Sequence, residues 1–294
     1  MQETEFNALV AQGYNRIPLV STLLADLDTP LSIYLKLANA PYSYLLESVV
    51  GGERFGRYSF IGLPARTRVR VQNRLVQIER DAEMIAEYPN ADPLQIIAEY
   101  SAQFRAAPHP LLPRGCGGLV GQFGYETIRY IEKRLADTHK PDALGLPDCL
   151  LLLSEELAVV DNISGKLYLV VFADTSLENS FAQASARLAA IQQQLQQPFT
   201  PPVPAVTQAA TAAPISEFGE AAFKSAVLQA KEYILAGDIM QVVLSQRMQQ
   251  PYTASPLALY RSLRCLNPSP YMFYFDMQSY HIVGASPEIL VRNE

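Results

Sequence analysis

A proline-rich segment in the last third of the chain most constrains its fold. Residues 198–214 hold five prolines among alanines and threonines. A segment of this composition cannot form a core and is typical of a flexible linker. It predicts a first unit of residues 1–197, a linker of residues 198–215 and a second unit of residues 216–294.

Composition narrows the class of protein. Hydrophobic residues make up 49% of the chain and charged residues 18%, which predicts a globular protein with ample core material. The net charge of −6 and the lack of a Lys/Arg cluster argue against nucleic-acid binding. No apolar run reaches membrane-spanning length, and the first residues lack the basic and apolar regions of a signal peptide. Three widely spaced cysteines, Cys116, Cys149 and Cys265, favour a reducing cytoplasm over disulfides or a zinc site.

The first unit combines segments that are typical of strands with segments that are typical of helices. This combination predicts an α+β fold. Predicted strands cover residues 42–50, 67–72, 74–80, 149–153, 157–161 and 167–172. The second and third of these form a hairpin that turns near Asn73. Asp92 followed by proline is typical of a helix start and predicts a helix to about residue 105. The run from Thr175 to Glu178 matches a capping box and predicts a helix through Leu195.

The second unit begins with a change of period. Residues 220–236 have apolar side chains at helical spacing, and Gly237 follows where a helix end favours positive φ. From Ile239 the period is two, so Gln241 and Arg247 share one face of a predicted buried strand. Buried polar groups need partners, which ligand atoms can provide. A strand whose polar face is merely solvated is the alternative.

Three sequence blocks follow one another in the second unit: residues 237–247, residues 267–274 (Asn-Pro-Ser-Pro-Tyr-Met-Phe-Tyr) and residues 284–291 (Gly-Ala-Ser-Pro-Glu-Ile-Leu-Val). Together with Leu-Leu-Glu-Ser at residues 45–48, they resemble the chorismate-utilising enzymes, most closely the large subunits (component I) of anthranilate synthases. The resemblance covers nearly the whole chain and implies mixed sheets with helices. Family members have a much longer chorismate-binding half. We therefore expect this chain to be a fragment that lacks the Mg²⁺ ligands and most contacts to the substrate carboxylates.

The resemblance implies a lyase reaction. Ammonia adds to C2 of chorismate, the C4 hydroxyl leaves, and elimination of pyruvate gives anthranilate. Relatives that add water have a lysine base where this chain has Gln241. Because ammonia is already neutral and nucleophilic, an amide suffices to position it, and Gln241 favours an ammonia-using enzyme. Glu288 matches the family's general acid, which needs burial or a nearby anion to keep its proton near neutral pH. A structural amide at Gln241 and a carboxylate at a turn at Glu288 are the alternatives.

The block at residues 45–48 resembles the tryptophan feedback site of these enzymes, although local sequence alone predicts only a strand. A glutamate can bind the α-ammonium of an amino acid, and hydroxyl and backbone groups can bind its other polar atoms. An apolar slot can hold its side chain. The implied contacts to L-tryptophan are Glu47, Ser48, Asn267, Pro270, Tyr271 and Met272. Since Met272 lies 16 residues before Glu288, shared strands predict allosteric coupling between the two sites.

The resemblance also implies a magnesium-dependent enzyme of tryptophan biosynthesis with a glutamine amidotransferase partner that supplies the ammonia. Two alternatives stay open. One is aminodeoxychorismate synthase component I, which residues 267–272 fit less well. The other is a tryptophan-binding fragment without turnover, and we expect the 294-residue chain to be inactive by itself.

Overall fold

The computed structural model describes residues 1–49, 56–138, 142–201 and 212–292. It forms two compact units, one of Met1–Pro202 with Leu259–Glu294 and the other of Val203–Ala258. This division differs from the predicted one, because residues 259–294 join the first unit instead of forming a separate one with residues 216–258. The physical reason is strand pairing, since a strand at residues 271–276 is hydrogen-bonded to one at residues 43–47. Most of the predicted linker lies outside the described residues.

Helices and runs of consecutive strands are interspersed along the chain. In chain order the helices are α1 (Glu3–Ala11), α2 (Pro30–Leu37), α3 (Pro93–Ala102), α4 (Ile128–Ile131), α5 (Ser180–Leu195), α6 (Glu220–Leu235) and α7 (Pro256–Leu266). The strands are β1 (Arg16–Leu24), β2 (Ser43–Glu47), β3 (Tyr58–Gly62), β4 (Thr67–Gln72), β5 (Leu75–Arg80), β6 (Glu83–Tyr88), β7 (Gly118–Phe123), β8 (Cys149–Ser154), β9 (Glu156–Asp161), β10 (Lys166–Asp174), β11 (Ile215–Ser216), β12 (Met248–Gln249), β13 (Tyr271–Asp276) and β14 (His281–Ser286). Short 3₁₀ turns flank α4.

Two antiparallel sheets build the first unit. The larger has the strand order β1-β10-β9-β3-β2-β13-β14, and the smaller has the order β6-β5-β4-β8-β7. Helices accompany both sheets, which confirms the predicted α+β class. The second and third sequence blocks contribute β13 and β14, which pair directly with each other.

Strand β8 joins the two sheets through its alternating side chains. Cys149 and Leu151 face a cluster with the valines of β4 and β5 and with Ile97 of α3. Leu150 and Leu152 point the opposite way, toward Tyr44 and Phe275 of the larger sheet. This explains why β8 is buried along its whole length and why its sequence is a continuous run of apolar residues.

Local signals in the first unit are mostly confirmed. The β4–β5 hairpin turns at Asn73, and Asp92 caps α3 by accepting hydrogen bonds from two backbone N–H groups. The capping box at Thr175 is wrong, because α5 begins only at Ser180. There the Asp174 carboxylate accepts the Ser176 N–H and hydroxyl, and this makes a turn at the end of β10 instead of a helix start.

In the second unit the helix is confirmed but the following strand is wrong. Helix α6 ends at Leu235, one residue before the predicted end at Ala236, and Gly237 has a φ of +81°. Residues 239–247 form no strand, and the side chains of Met240 and Val243 are largely exposed. No described strand pairs with them, and a strand without a neighbour has no ladder to stabilise it. None of the helices in the described ranges is long and apolar enough to cross a membrane.

Candidate functional site

A pocket of about 460 Å³ lies at the ends of β2 and β13, within the first unit. This volume falls in the usual range for sites that bind small molecules. Five of the six residues predicted to contact L-tryptophan border it: Glu47, Ser48, Pro270, Tyr271 and Met272. Asn267 does not border it and is exposed, and its N–H donates to the carbonyl oxygen of Leu263 at the end of α7.

The Asn-Pro-Ser-Pro segment is held beside β2 by its serine. The Ser269 hydroxyl donates to the Ser286 carbonyl and accepts the Tyr271 N–H, while the Ser269 carbonyl accepts the Val49 N–H at 3.1 Å. The prolines on either side have no N–H to satisfy and a fixed φ. Residues 270–272 therefore lie beside residues 47–49, although more than 200 positions separate them in sequence.

Aromatic and aliphatic side chains form one wall of the pocket. Leu46 lies opposite Phe60 on one side and opposite Phe273 on the other, so the three side chains share one face of the sheet. Phe273 in turn lies opposite Gly284, where a Cβ would be 2.2 Å from the Phe273 ring. Glycine at this position gives the ring its space, and the result is an apolar slot suited to an aromatic ligand.

Glu47, the last residue of β2, has its carboxylate already bound. Its side chain lies on the opposite face from Leu46, and the residue is 4% exposed. Oε2 accepts from the Tyr260 hydroxyl at 2.9 Å and from Arg264 Nε at 2.7 Å, and Oε1 accepts from Arg264 Nη2 at 2.8 Å. Burial and the neighbouring carboxylate both raise the pKa of Tyr260, so its hydroxyl stays protonated and remains a donor.

Arginines supply the remaining charge around the pocket. Arg57, Arg114 and Arg292 all border it. Arg57 pairs with Asp161 at 3.0 Å, and its guanidinium lies 4.8 Å from the centre of the Tyr58 ring. Guanidinium groups bind carboxylates through parallel hydrogen bonds. The pocket thus combines an apolar wall with a cationic border, an arrangement that suits an aromatic carboxylate.

The two residues predicted to act in catalysis lie outside this pocket. Gln241 is exposed in an irregular segment of the second unit. Glu288 follows β14 and is exposed as well, so the described structure does not provide the burial that is one of the two ways to keep a general acid protonated. Its backbone carbonyl accepts the Ser286 hydroxyl, which places Glu288 in the turn that ends the strand. The catalytic roles of both residues stay predictions.

The described side chains include no cluster suited to hold a metal ion by itself. In the described part of the chain, no group of three or more Asp, Glu, His or Cys residues is placed to hold a metal ion. Mg²⁺ requires several oxygen ligands in near-octahedral geometry.

Sequence reasoning missed Tyr260 and Arg264, which hold Glu47. The signal was available in α7, where Leu257, Tyr260 and Arg264 stand at helical spacing on one face. An arginine in line with apolar positions needs an acidic partner when it packs against a protein interior. The sequence does not identify that partner, because Glu47 lies more than 200 positions earlier in the chain.

Several known proteins are similar to this chain in sequence or in fold. The model of the chorismate binding enzyme family matches residues 55–294. Over its full length the chain is 55% identical to anthranilate synthase component 1 of Neisseria meningitidis serogroup B and 51% identical to that of Pseudomonas aeruginosa, and it covers 60% of each. The crystal structure of anthranilate synthase component I from Streptococcus pneumoniae superposes with a TM-score of 0.61 at 26% identity, covering 90% of this chain and 57% of that one.

The chain thus spans about 60% of the length of the curated relatives it matches. The family model covers most of the chain, including the Ser-Pro-Tyr-Met and Ser-Pro-Glu blocks whose strands pair in the larger sheet. On this basis the protein belongs to the family of chorismate binding enzymes.

Proposed function

We propose that the chain is part of the large subunit of an anthranilate synthase. The observation that supports this most is the identity of 55% over the whole chain with relatives named anthranilate synthase component 1. In the proposed reaction, chorismate and ammonia give anthranilate, pyruvate and water, the water from the C4 hydroxyl that leaves. The enzyme is then a lyase of tryptophan biosynthesis, located in the cytoplasm. A glutamine amidotransferase subunit supplies the ammonia, and Mg²⁺ is required in the whole enzyme.

In this proposal Gln241 and Glu288 divide the chemical work. The Gln241 amide orients ammonia toward C2 of chorismate. The attack needs no general base, because ammonia is already a neutral nucleophile. Glu288 gives a proton to the departing C4 hydroxyl. Both are exposed in the described structure, so the proposal requires further parts of the enzyme to enclose them.

The pocket beside β2 is proposed to be the feedback site for L-tryptophan. Leu46, Phe60 and Phe273 offer an apolar wall for the indole ring, and the arginine border offers partners for the carboxylate. Glu47, the acidic residue among the described residues that border the pocket, is the proposed partner of the α-ammonium. This site consists of described residues of one unit, which supports its formation in the 294-residue chain.

A second candidate function is a tryptophan-binding module without turnover. It is favoured for this chain by the contrast between a formed pocket and the exposed Gln241 and Glu288. On this reading the purified chain binds the amino acid but makes no product from chorismate.

Two assays test these proposals. The chain has no tryptophan, so added L-tryptophan is the only indole present, and its emission and anisotropy report binding directly. We expect saturable binding that Ser48→Ala weakens and Glu288→Ala leaves unchanged. Absence of binding by the wild-type chain would remove the feedback site from the proposal.

The second assay incubates the chain with chorismate, ammonium and Mg²⁺ and follows the fluorescence of anthranilate. We expect none from the chain alone, and detectable turnover would contradict the non-catalytic reading. When the chain is joined to the remainder of a relative's large subunit, we expect anthranilate. A product that keeps the enolpyruvyl group and carries its amine at C4, aminodeoxychorismate, would instead identify the sister enzyme.

A further inference from the structure

A second pocket, of about 320 Å³, lies within the first unit at the junction of β8 and β9, beside the end of β10 and the first turns of α5. The described residues that border it are all different from those that border the pocket beside β2. Its volume is at the lower end of the usual range for sites that bind small molecules. The proposed function gives this pocket no role.

Arg80 brings a guanidinium with unused donors to this second pocket. It is the last residue of β5, and its described neighbours Glu79 and Asp81 do not border the pocket, so its long side chain is the part that reaches it. Nη1 lies 3.9 Å from Oδ2 of Asp174, which is beyond hydrogen-bond distance. Among the described residues, none accepts a hydrogen bond from the Arg80 guanidinium. Arg80 can therefore donate to a ligand.

Glu155 and Asp174 border the same pocket, and each has one oxygen to spare. Arg16, which does not border it, donates from Nε to Glu155 Oε1 at 3.1 Å and from Nη1 to Asp174 Oδ1 at 2.8 Å. In the described part of the chain, neither Glu155 Oε2 nor Asp174 Oδ2 accepts a hydrogen bond. Burial raises the pKa of Glu155 although the charges of Arg16 and Arg80 act in the opposite direction. The negative charge of Glu155 is thus only partly compensated, and a further cation would stabilise it.

The other charged residues on the border are already paired with each other or with a neighbour. Arg66 donates two hydrogen bonds to Asp81, and Arg187 donates two to Glu156. Aliphatic side chains also border the pocket: Leu63, Pro64, Leu153 and Leu177. A ligand that matches this border has an anionic group for Arg80, a cationic group for Glu155 and an aliphatic part.

A ligand with a single charge fits this border poorly. A simple anion on Arg80 would lie close to two carboxylates, and a simple cation on Glu155 would lie close to a guanidinium, so each attraction is offset by a repulsion. A zwitterion presents the opposite charge to each group. We propose that this pocket binds an α-amino acid with an aliphatic side chain, its carboxylate on Arg80 and its ammonium on Glu155. This site is separate from the proposed tryptophan site and does not depend on it.

The first test uses the wild-type chain and three probes of matched shape. L-Leucine carries both charged groups, isocaproate lacks the ammonium, and isoamylamine lacks the carboxylate. Isothermal titration calorimetry gives the dissociation constant of each. We expect saturable binding of L-leucine and binding of either analogue that is about tenfold weaker or more, because each analogue lacks one charge-assisted contact. No binding of L-leucine, or binding no tighter than that of an analogue, overturns the inference.

The second test places L-leucine in this pocket by two variants with opposite effects. In Arg80→Met, the advantage of L-leucine over isoamylamine should disappear, while its advantage over isocaproate stays. In Glu155→Gln, the advantage over isocaproate should disappear, while that over isoamylamine stays. Arg134→Met and Glu83→Gln, at exposed positions, are the matched controls and should keep the wild-type values. If Arg80→Met and Glu155→Gln keep the wild-type values as well, L-leucine binds elsewhere and the inference is wrong.

A measurement on the wild-type chain keeps the inference testable if Glu155→Gln does not fold, since that change also removes a charged partner of Arg16. The side-chain Nε–H resonance of Arg80 is assigned by its loss in Arg80→Met. We expect this resonance to shift when L-leucine saturates the chain and to stay in place with isoamylamine, which has no carboxylate. An unchanged Arg80 resonance with saturating L-leucine overturns the inference. None of these probes contains an indole, so their failure leaves the proposed tryptophan site as it stands.

Discussion

Met272 lies directly opposite Glu47 in the antiparallel pair of β13 and β2. The two side chains therefore share one face of the larger sheet, and both are almost fully buried. One comes from the Leu-Leu-Glu-Ser block and the other from the Pro-Tyr-Met block. This pairing is the physical link between two sequence segments that the family resemblance associates with one ligand.

Truncation of Met272 tests the importance of this pairing for the fold. Met272 is 1% exposed, so Met272→Ala leaves a cavity and should lower the free energy of unfolding by about 2–5 kcal/mol. The same change should weaken L-tryptophan binding, because Met272 borders the pocket. Urea denaturation and indole emission measure the two effects. As a control, Met84→Ala on β6, where the side chain is half exposed, should change stability by less than about 0.5 kcal/mol.

Removal of the Tyr260 hydroxyl tests the support of the Glu47 carboxylate. Tyr260→Phe deletes one of three hydrogen bonds to a buried acid but keeps the ring that packs against Tyr274. We expect a loss of about 1–3 kcal/mol in the free energy of unfolding, since a buried charged acceptor then keeps only its bonds from Arg264. Tyr125→Phe, at a residue that is 91% exposed, is the matched control. Equal denaturation midpoints for the two variants would show that the bond does not contribute.

The residues of the pocket show which parts of the site could be predicted from sequence. The strand at residues 43–47 and the Pro-Tyr-Met segment were identified because short motifs carry both a period and a family resemblance. The Glu47–Arg264 pair was not, because an ion pair over this sequence separation depends on the packing of α7 against the sheet. Chemistry alone does not choose among 23 basic residues as a partner for one glutamate.

The segment at residues 239–247 was predicted as a strand, but it does not form one. Its period of two is a correct description of the residues, but a strand also needs a neighbour with which to exchange hydrogen bonds. Among the described residues, only the short β12 that follows finds one, in β11. The side-chain pattern predicts which residues would share a face of a strand. Whether the strand forms depends on a neighbouring strand with which it can exchange hydrogen bonds.

Acid should destabilise the chain partly through Asp161. Burial alone would raise the pKa of this carboxyl, but hydrogen bonds from Arg57 and from the N–H groups of Ile163 and Ser164 hold the pKa below its usual value. Because the folded-state pKa lies below the unfolded value of about 3.9, the ionised group stabilises the fold above that pH. This stabilisation is lost as the pH falls through the folded-state pKa.

The variant Asp161→Asn isolates this contribution. It should be less stable than the wild type at pH 7 and should show a weaker loss of stability between about pH 4 and pH 2. Urea denaturation across the pH range 2–7 measures both (exposed Asp26→Asn serves as the control). Parallel curves for Asp161→Asn and the wild type would contradict the role of the Arg57–Asp161 pair.

The close approach of Phe273 to Gly284 gives the last prediction. A methyl group at Gly284 would lie 2.2 Å from the tip of the Phe273 ring, so the ring must move. We expect Gly284→Ala to cost about 1–3 kcal/mol in the free energy of unfolding, as overpacking does elsewhere. Because Phe273 forms part of the pocket wall, L-tryptophan affinity should fall in the same variant.

A double-mutant cycle with Phe273→Leu distinguishes this clash from a general loss of strand stability. Leucine is shorter than the ring and leaves room for the added methyl group, so Gly284→Ala should cost much less in the Phe273→Leu background. The coupling free energy from the four denaturation curves should lie between about 0.5 and 3 kcal/mol, as it does for residues in direct contact. A cost of Gly284→Ala that is the same in both backgrounds would mean that the backbone of β14, and not the Phe273 ring, resists the substitution.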